Sequence, residues 1–298
     1  MKVLLAIDET PYSERAVQML KALQLPPETE VTVMAVIAEH TYLGGITLSS
    51  LGSAAGKERA HKAQEQRALE LLEKPMETLR ASGLTTESLI CWGRPASEIV
   101  KRARGMRADL VVIGAKGSGD PQRFPLGSVA QKVMKYADCS VLLVREKTNT
   151  IRRVLLATDG SKHSDKVTQF LLDLPLPKKS HVFVVTVLQS HIPALIRMPT
   201  MDYKANQRIL SELQDAEENA AQALLAKSVA QFRERRYQVS SMVLKGDPAE
   251  EVMMAANTLN PEIVALGAKG LTEIENFLMG SVVQRVARFS PYSVLIGR

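Results

Sequence analysis

An aspartate closes an apolar run at two places in this chain, at Asp8 and at Asp159. Neither run alternates with polar residues, which is typical of a strand buried on both faces of a parallel sheet. In open α/β sheets, ligands bind beyond the carboxyl ends of the strands. A carboxylate at that edge can accept hydrogen bonds from a ligand or serve as a general base. Because no partnering nucleophile or acid is visible beside either aspartate, we expect slow catalysis at most.

A glycine pattern also occurs twice. Gly114 and Gly117 end the fourth predicted strand, and nine residues later Gly127 and Ser128 open a predicted helix. The second copy has the same spacing, with Gly267, Gly270, Gly280 and Ser281. Glycine permits a positive φ and lets a ligand approach main-chain N–H groups. The free N–H groups and the positive dipole end of a helix start favour a phosphate, so the pattern predicts a phosphate cradle in each half.

Lys116 and Lys269 lie between the first two glycines of each copy and can add a point charge for a phosphate. The competing interpretation is structural, because glycines after strands are common turn residues and a duplication copies structure as well as function. Two other phosphate motifs are excluded. The chain contains no G-x-x-x-x-G-K-[ST]. The run that starts at Gly117 has Gln122 as its sixth residue, where the dinucleotide fingerprint needs a small residue.

The chain is a duplication of itself. Residues 3–8 return as residues 154–159, 151 positions later, whereas 113–117 return 153 positions later as 266–270. A period of about 150 residues is too long for a solenoid unit. It predicts two tandem domains, residues 1–146 and 151–298, with a tether so short that the halves should contact each other.

Each half alternates strands with helices, which predicts a parallel α/β sheet with helices on both faces. In the first half we expect strands at 2–8, 31–38, 89–93, 110–114 and 141–144. Ser13 is expected to cap the first helix. Pro75 is expected to kink or break a long helix over residues 57–82, which follows a Gly- and Ser-rich loop at 44–56.

The composition excludes several classes of protein. The 298 residues are 45% hydrophobic and 23% charged, with a net charge of +6 that a solvated surface accounts for. Two cysteines, Cys91 and Cys139, exclude a disulfide scaffold and a four-cysteine zinc site, and we expect both to be buried and unreactive. No apolar run reaches the length of about 20 residues that spans a membrane, so we expect a cytoplasmic protein. The five histidines lack paired ligand spacing and no motif supports a nucleic-acid partner, so neither a side-chain metal site nor nucleic-acid binding is expected.

Together these residues resemble the universal stress protein family. The resemblance rests on the strand-one aspartate, the G-x-x-G after strand four, the nine-residue gap and the G-S that opens the last helix, all found twice, and on the closing runs 139–144 and 292–296. The resemblance covers nearly the whole of both halves, and the chain is similar to the tandem subclass of the family, which carries two such domains in one polypeptide. It implies two Rossmann-like domains of the adenine-nucleotide-hydrolase type, each with five parallel strands in the order 3-2-1-4-5. It also implies binding of ATP, ADP or AMP, with Mg²⁺ able to arrive on the phosphates.

The resemblance implies a role for ten residues in each half. In the first, adenosine is held by Ala6, Asp8 and Val36, ribose and phosphate by Ile113, Gly114, Lys116 and Gly117, and the phosphates by Gly127, Ser128 and Val129. In the second, the equivalents are Ala157, Asp159 and Val187, then Leu266, Gly267, Lys269 and Gly270, then Gly280, Ser281 and Val282. The first nine-residue gap is more polar than the second because it contains Asp120 and Arg123. Asp120 would repel a phosphate and Arg123 would attract it, so the two sites are not expected to have equal affinity for a nucleotide.

The last strand of each half lies at the sheet edge in this family, and members pair through it. The resemblance therefore implies that the strand from Val141 to Val144 meets the strand from Val294 to Gly297 across a pseudo-twofold axis inside the chain, and it leaves a further homodimer open. The implied function is that of an ATP-binding stress-response protein, a nucleotide-dependent sensor or regulator. The alternatives are a nucleotide-independent scaffold with vestigial pockets, binding a protein partner through residues 44–82 and 190–235, and a true hydrolase.

Overall fold

The structure is a computed structural model, and it describes residues 1–38, 54–117, 125–145, 148–189, 203–270 and 279–298. Most of the predicted Gly- and Ser-rich loop at 44–56 lies outside these ranges. So do Asp120 and Arg123 and most of both nine-residue gaps.

The first half consists of five strands and four helices in alternation. They are β1 (Lys2–Ile7), α1 (Pro11–Ala22), β2 (Glu30–Ile37), α2 (Ala54–Arg80), β3 (Thr85–Trp92), α3 (Pro95–Gly105), β4 (Leu110–Gly114), α4 (Ser128–Tyr136) and β5 (Ser140–Val144). Proline at the first turn of α1 and of α3 suits the fixed φ of a helix start.

The second half repeats this order. Its elements are β6 (Arg153–Ala157), α5 (Lys162–Asp173), β7 (His181–Leu188), α6 (Tyr203–Glu234), β8 (Gln238–Lys245), α7 (Pro248–Leu259), β9 (Ile263–Gly267), α8 (Ser281–Phe289) and β10 (Ser293–Gly297). The alternation predicted from the sequence is therefore confirmed in both halves.

All ten strands join in one sheet with the order β3-β2-β1-β4-β5-β10-β9-β6-β7-β8. Each half has the predicted order 3-2-1-4-5, and all its pairings are parallel. β5 and β10 pair antiparallel, with Leu142 opposite Leu295 and Val141 opposite Ile296. The predicted meeting of the two last strands is confirmed, and it removes the edge that each half would otherwise expose.

Helices cover both faces of the sheet and enclose two apolar layers. One layer contains buried residues of α1, α2, α5 and α6, such as Leu20, Leu72, Leu171 and Phe232. The other contains residues of α3, α4, α7 and α8, such as Ile99 and Val283. This two-sided cover explains why the central strands are continuous apolar runs. Among the described residues, no helix combines the length and the apolar character that crossing a membrane requires.

Two local predictions differ from the structure. The kink or break expected at Pro75 is not a break, since α2 continues through it to Arg80, and Leu72 and Leu79 are buried in the core on either side of the proline. Ser13 does not cap α1. The helix begins earlier, at Pro11, and Thr10 is its N-cap residue; the Ser13 hydroxyl instead bonds to Asp8.

Two arginines fasten the halves to each other. The guanidinium of Arg145, just after β5, donates to the carbonyl oxygens of Ala287 (2.6 Å) and Arg288 (3.2 Å) at the C-terminal end of α8, and to that of Pro125 (2.8 Å). Arg298, just after β10, donates to the carbonyls of Met134 and Lys135 at the end of α4. A cation at a helix C-terminus also suits the helix dipole.

Candidate functional site

The candidate site of the first half lies where the strand order reverses. β1 is the central strand, with β2 on one side and β4 on the other, and Ala6 is level with Met34 and Ile113. The chain that leaves β1 crosses one face of the sheet, while the chain that leaves β4 crosses the other. A crevice opens at such a switch point, beyond the carboxyl ends of the strands.

Asp8, the first residue after β1, is held by its neighbours in the chain. Its Oδ1 accepts hydrogen bonds from the Ser13 hydroxyl (2.7 Å), the Thr10 amide (3.0 Å) and the Thr10 hydroxyl (2.5 Å). Its own N–H donates to Ser13 Oγ at 2.7 Å. These bonds fix the carboxyl group at the mouth of the crevice, so that its other oxygen, Oδ2, lies towards Gly117.

The glycines that end β4 and β9 serve close packing. A Cβ on Gly114 would lie 2.7 Å from the Cβ of Tyr12 in α1, and a Cβ on Gly267 would lie 2.7 Å from the carbonyl carbon of His163 in α5. Glycine lets the first turn of α1 rest on the end of β4, and the first turn of α5 rest on the end of β9. Neither glycine uses a positive φ, because the described glycines with positive φ are Gly83, Gly93, Gly160 and Gly246.

The next two glycines of the pattern bring a loop and a helix start together. A Cβ on Gly117 would lie 3.4 Å from Asp8 Oδ2, and one on Gly127 would lie 3.3 Å from the Gly117 amide nitrogen and from the carbonyl oxygen of Ala115. The Gly127 amide donates to that same carbonyl at 2.8 Å. Side chains at these positions would fill the space between the carboxylate, the loop and the first turn of α4.

The first turn of α4 faces this space with main-chain donors. Gly127 is its N-cap residue, in an extended conformation and with no side-chain cap. The first hydrogen bond of the helix runs from the Gln131 amide to the Gly127 carbonyl, so Ser128, Val129 and Ala130 have no acceptor within the helix. Such amides and the helix dipole make an anion site. Lys116 stands next to the loop and is half-buried.

The second half reproduces this arrangement with a tighter glycine. A Cβ on Gly270 would lie 2.8 Å from Asp159 Oδ2. The Gly280 amide donates to the Ala268 carbonyl at 2.9 Å, and Gly280 is the uncapped N-cap residue of α8. The main chain of Lys269 is fixed by a hydrogen bond from the Ser161 hydroxyl to its carbonyl (3.2 Å).

Apolar side chains of three neighbouring strands lie on one face beside each crevice. In the first half these are Ala6, Val36 and Ile113, which all contact the layer under α3 and α4. Their equivalents Ala157, Val187 and Leu266 contact the same layer under α7 and α8, as do Val129 and Val282 of the helix starts. The structure therefore brings the twenty predicted site residues into two groups, each with a carboxylate, a glycine-bounded loop that carries a lysine, a helix start without a side-chain cap, and an apolar wall.

Sequence reasoning missed several residues that shape these groups. Ser13 and Thr10 hold Asp8, and their signal was a hydroxyl residue two and five positions after the aspartate. Arg145 bonds the Pro125 carbonyl, two residues before Gly127. No sequence pattern indicates that contact, because the same guanidinium also bonds Ala287 and Arg288 of the second half, and only the packed fold brings these carbonyls together.

His163 in α5 replaces Tyr12 of the first half and lies near the second crevice. Its pKa is lowered from the ordinary value of 6.5, first by burial and then by the charges of Lys166, Lys269 and Arg298, while Asp159 opposes the shift. The imidazole is therefore neutral at pH 7. Among the described residues, no group of three His, Cys, Asp or Glu side chains is placed to hold a metal ion.

The two cysteines lie at the layer under α3 and α4, and Cys91 is paired with Val36 on the neighbouring strand. Cys91 is buried, and burial raises the pKa of the half-buried Cys139 thiol to about 11. Since the thiolate is the reactive form, Cys139 has little of it at neutral pH.

The sequence matches the family model described as "Universal stress protein family" twice, over residues 1–145 and 150–298. A universal stress protein of Thermus aquaticus is 35% identical over 145 residues, which are 48% of this chain and 97% of that protein. A universal stress protein of Mycobacterium tuberculosis is 25% identical over 241 residues, 78% of this chain and 74% of the relative.

A solved structure shares the fold over the full length. The crystal structure of a universal stress protein from Archaeoglobus fulgidus has a TM-score of 0.64 at 19% identity, and the match covers 100% of this chain and 96% of that one. Since the family model accounts for nearly every residue of both halves, this chain belongs to the universal stress protein family and carries two of its domains in tandem.

Proposed function

We propose that this protein binds adenine nucleotides, ATP in particular, with one site in each half, and that it acts as a nucleotide-dependent regulator in a stress response. One observation carries the proposal. Twice, at the same place in the fold, a fixed carboxylate, a glycine-bounded loop with a lysine and a helix start without a side-chain cap enclose one crevice beside an apolar wall. Family membership supports the same class of ligand.

Each part of the crevice suits one part of the nucleotide. The apolar wall of Ala6, Val36 and Ile113 offers a surface for the adenine ring. Asp8 Oδ2 and the loop at Lys116 and Gly117 can bond the ribose hydroxyls. The polyphosphate then reaches the first turn of α4, where main-chain N–H groups and the Ser128 hydroxyl donate. In the second half Asp159, Lys269 and the start of α8 take these roles.

Binding, with slow hydrolysis at most, is the activity we propose. At the crevice of the first half, Asp8 Oδ1 already accepts three hydrogen bonds, and we assign Oδ2 to the ribose hydroxyls, so neither oxygen is left to take a proton from water. Mg²⁺ would be held by the phosphate oxygens with water completing its shell, since the described side chains offer no cluster for it.

Calorimetric titration of the intact chain with ATP tests the proposal. We expect two sites per chain. Gly127→Val and Gly280→Val should each remove one, because the added side chain fills the space between the loop and the helix start. Gly105→Val is the matched control, since a Cβ on Gly105 has no atom within 4 Å. Undetectable binding at millimolar ATP would reject the proposal and favour the scaffold alternative.

A further inference from the structure

A surface groove runs along the outer edge of the second half, between α6 and β8. Its volume is about 450 Å³. It is lined by Gln222, Leu225, Ala226, Val229, Ala230 and Arg233 of α6 and by Ser241 and Val243 of β8. The floor is apolar, with Leu225 and Val229 buried, while Ala226 and Ala230 on the rim are exposed. Neither candidate nucleotide site contributes to this groove.

The first half differs at the residues that open the groove. Ala226 and Ala230 lie one turn apart on α6, and their equivalents on α2 are Glu73 and Glu77, 153 positions earlier. Val229 corresponds to the longer Met76. Short side chains on the second helix leave the space empty, whereas the first helix has larger side chains and two negative charges along the same line.

One end of the groove is also more positively charged than the equivalent surface of the first half. Arg233 lines the groove, and Arg235 and Arg236 follow α6 directly, all three exposed. The equivalents of the last two in the first half are Ser82 and Gly83. Nearby acids balance little of this charge. Asp173 is 4.0 Å from Arg235 and exposed, and such pairs are weak in water. At the other end Lys245 is paired with Glu218 at 3.0 Å.

The groove lies beside an open strand. β8 ends the sheet and pairs with β7 on one side only, within the described part of the chain. An open edge can bond an added extended segment. A second copy of this chain is disfavoured as that segment, because antiparallel pairing of two β8 strands would bring Lys245 of one copy towards Arg236 of the other.

We propose that this groove is a docking site for an extended segment of a partner protein in which acidic and apolar residues alternate. The segment would add to β8. Because successive side chains of a strand point to opposite faces, its apolar side chains would lie over Leu225 and Val229, and its carboxylates nearest the turn between α6 and β8 would lie near Arg235 and Arg236. Charge complementarity together with the shallow apolar floor selects this chemistry.

Fluorescence anisotropy with a labelled synthetic peptide tests the proposal on the intact chain. The probe is a strand-length peptide of about ten residues in which valine and glutamate alternate. We expect saturable binding, and binding at least about tenfold weaker to the Ala226→Glu/Ala230→Glu variant, because like charges at close range disfavour association. This variant places the first half's own residues on an exposed helix face, so the fold should tolerate it.

Matched variants make the test specific. Ala220→Glu/Ala223→Glu adds the same two charges to exposed positions of α6 outside the groove lining, and we expect at most a threefold loss from it, roughly the long-range charge effect alone. Arg235→Ser/Arg236→Gly restores the first half's residues and should weaken binding and reduce its salt dependence. Glycine suits position 236, where φ is 64°.

Three results would overturn the proposal. The first is absence of saturable binding. The second is equal binding of a peptide with lysine in place of glutamate. The third is binding that Ala226→Glu/Ala230→Glu and the control weaken equally, since the groove would then have no part in it. A labelled single-stranded DNA is the probe for a polyanion. If it binds through Arg235 and Arg236 and competes with the peptide equally well in the Ala226→Glu/Ala230→Glu variant, the surface is a polyanion site instead.

Discussion

The two halves position the same aspartate in different ways. In the first, the Ser13 hydroxyl donates to Asp8 and thereby holds the carboxylate. In the second, the equivalent Ser164 donates its only hydroxyl hydrogen to the Ser161 carbonyl (2.9 Å) and accepts a bond from Thr158 (3.1 Å). Thr158 occupies the position of Ile7, so one extra hydroxyl redirects the network. Both halves keep the main-chain bond, since Asp159 Oδ1 accepts from the Ser161 amide at 3.0 Å as Asp8 Oδ1 does from the equivalent Thr10 amide.

The helix starts next to these aspartates differ for the same reason. Ser161 caps α5, accepting from the Ser164 amide at 3.2 Å. Thr10, at the equivalent position, makes no side-chain cap bond and turns its hydroxyl to Asp8. A duplicated fold can therefore keep its carboxylate in place while the hydroxyls around it exchange roles. The variants below test whether the halves also differ in stability and affinity, from the largest expected effect to the smallest.

Arg145→Ala should have the largest effect on stability. The variant loses three charged hydrogen bonds and removes the donor to the buried Ala287 carbonyl and the half-buried Pro125 carbonyl. We expect the free energy of unfolding, measured with urea, to fall by about 2–3 kcal/mol, after part of the loss is offset by removal of a buried charge.

Its pseudo-symmetric partner sharpens this comparison. Arg298 is less buried and bonds the end of one helix only, so Arg298→Ala should cost about half as much. Arg59→Ala, an exposed control, should change stability by less than about 0.5 kcal/mol. Equal losses for Arg145→Ala and Arg59→Ala would show that the junction does not depend on the arginine.

Replacing Gly117 or Gly270 by alanine should lower ATP affinity by different amounts. Gly270→Ala places a Cβ 2.8 Å from Asp159 Oδ2 and must displace the carboxylate, whereas Gly117→Ala makes an ordinary contact at 3.4 Å from Asp8. Each site is measured alone, the second in a Gly127→Val background and the first in a Gly280→Val background. We expect ATP affinity of the second site to fall about tenfold for Gly270→Ala, a change of about 1.4 kcal/mol. The fall for Gly117→Ala should be smaller. The reverse order would contradict the assigned roles of the two aspartates.

The helix-start residues Ser161 and Thr10 should differ in how much stability their replacement by alanine costs, by about 1 kcal/mol or less. Ser161→Ala removes a side-chain cap and should lower the free energy of unfolding by about 1 kcal/mol. Thr10→Ala removes no cap bond, so its loss should be smaller. Ser161→Asn, which can still cap, is the control and should restore most of the stability. If Thr10→Ala destabilises more than Ser161→Ala, the bond from Thr10 to Asp8 outweighs a helix cap.

The smallest effect concerns pH and His163. Its folded-state pKa lies below the ordinary value, chiefly because of burial, so the unfolded chain binds the proton more readily than the folded chain. Stability from this residue is therefore present at pH 7 and is lost as pH falls through the ordinary value of 6.5. His163→Tyr, the first half's residue, should reduce the loss of stability between pH 7 and pH 5 in thermal unfolding. Identical pH profiles for the two proteins would contradict it.

Much of the fold could be predicted because its signals are local or repeated. The unbroken apolar runs of β1 and β4 require a sheet covered on both faces, and the alternation with helices makes that sheet parallel. The break considered at Pro75 and the cap expected at Ser13 are not found, because each expectation weighed one residue's propensity alone. Burial of Leu72 and Leu79 outweighed the proline, and Pro11 started the helix before Ser13 could cap it.

The spacing pattern predicted which residues lie together at the crevices, and the structure shows why particular glycines are needed there. Gly114 and Gly117 belong to one spacing pattern, yet the first is needed for contact with Tyr12 and the second for space beside Asp8. Spacing along the chain cannot separate these causes, because the atoms that a glycine avoids come from other elements.

The sequence by itself determined the duplication, the order of strands and helices, and which residues reach the carboxyl edge of the sheet, because periodicity and chain connectivity act along the chain. Tertiary structure alone decided that Arg145 and Arg298 join the halves, that Ser13 and Ser164 bond differently, and that alanines on α6 open a groove beside β8. These contacts depend on distances between segments far apart in the chain, and only the packed fold sets those distances.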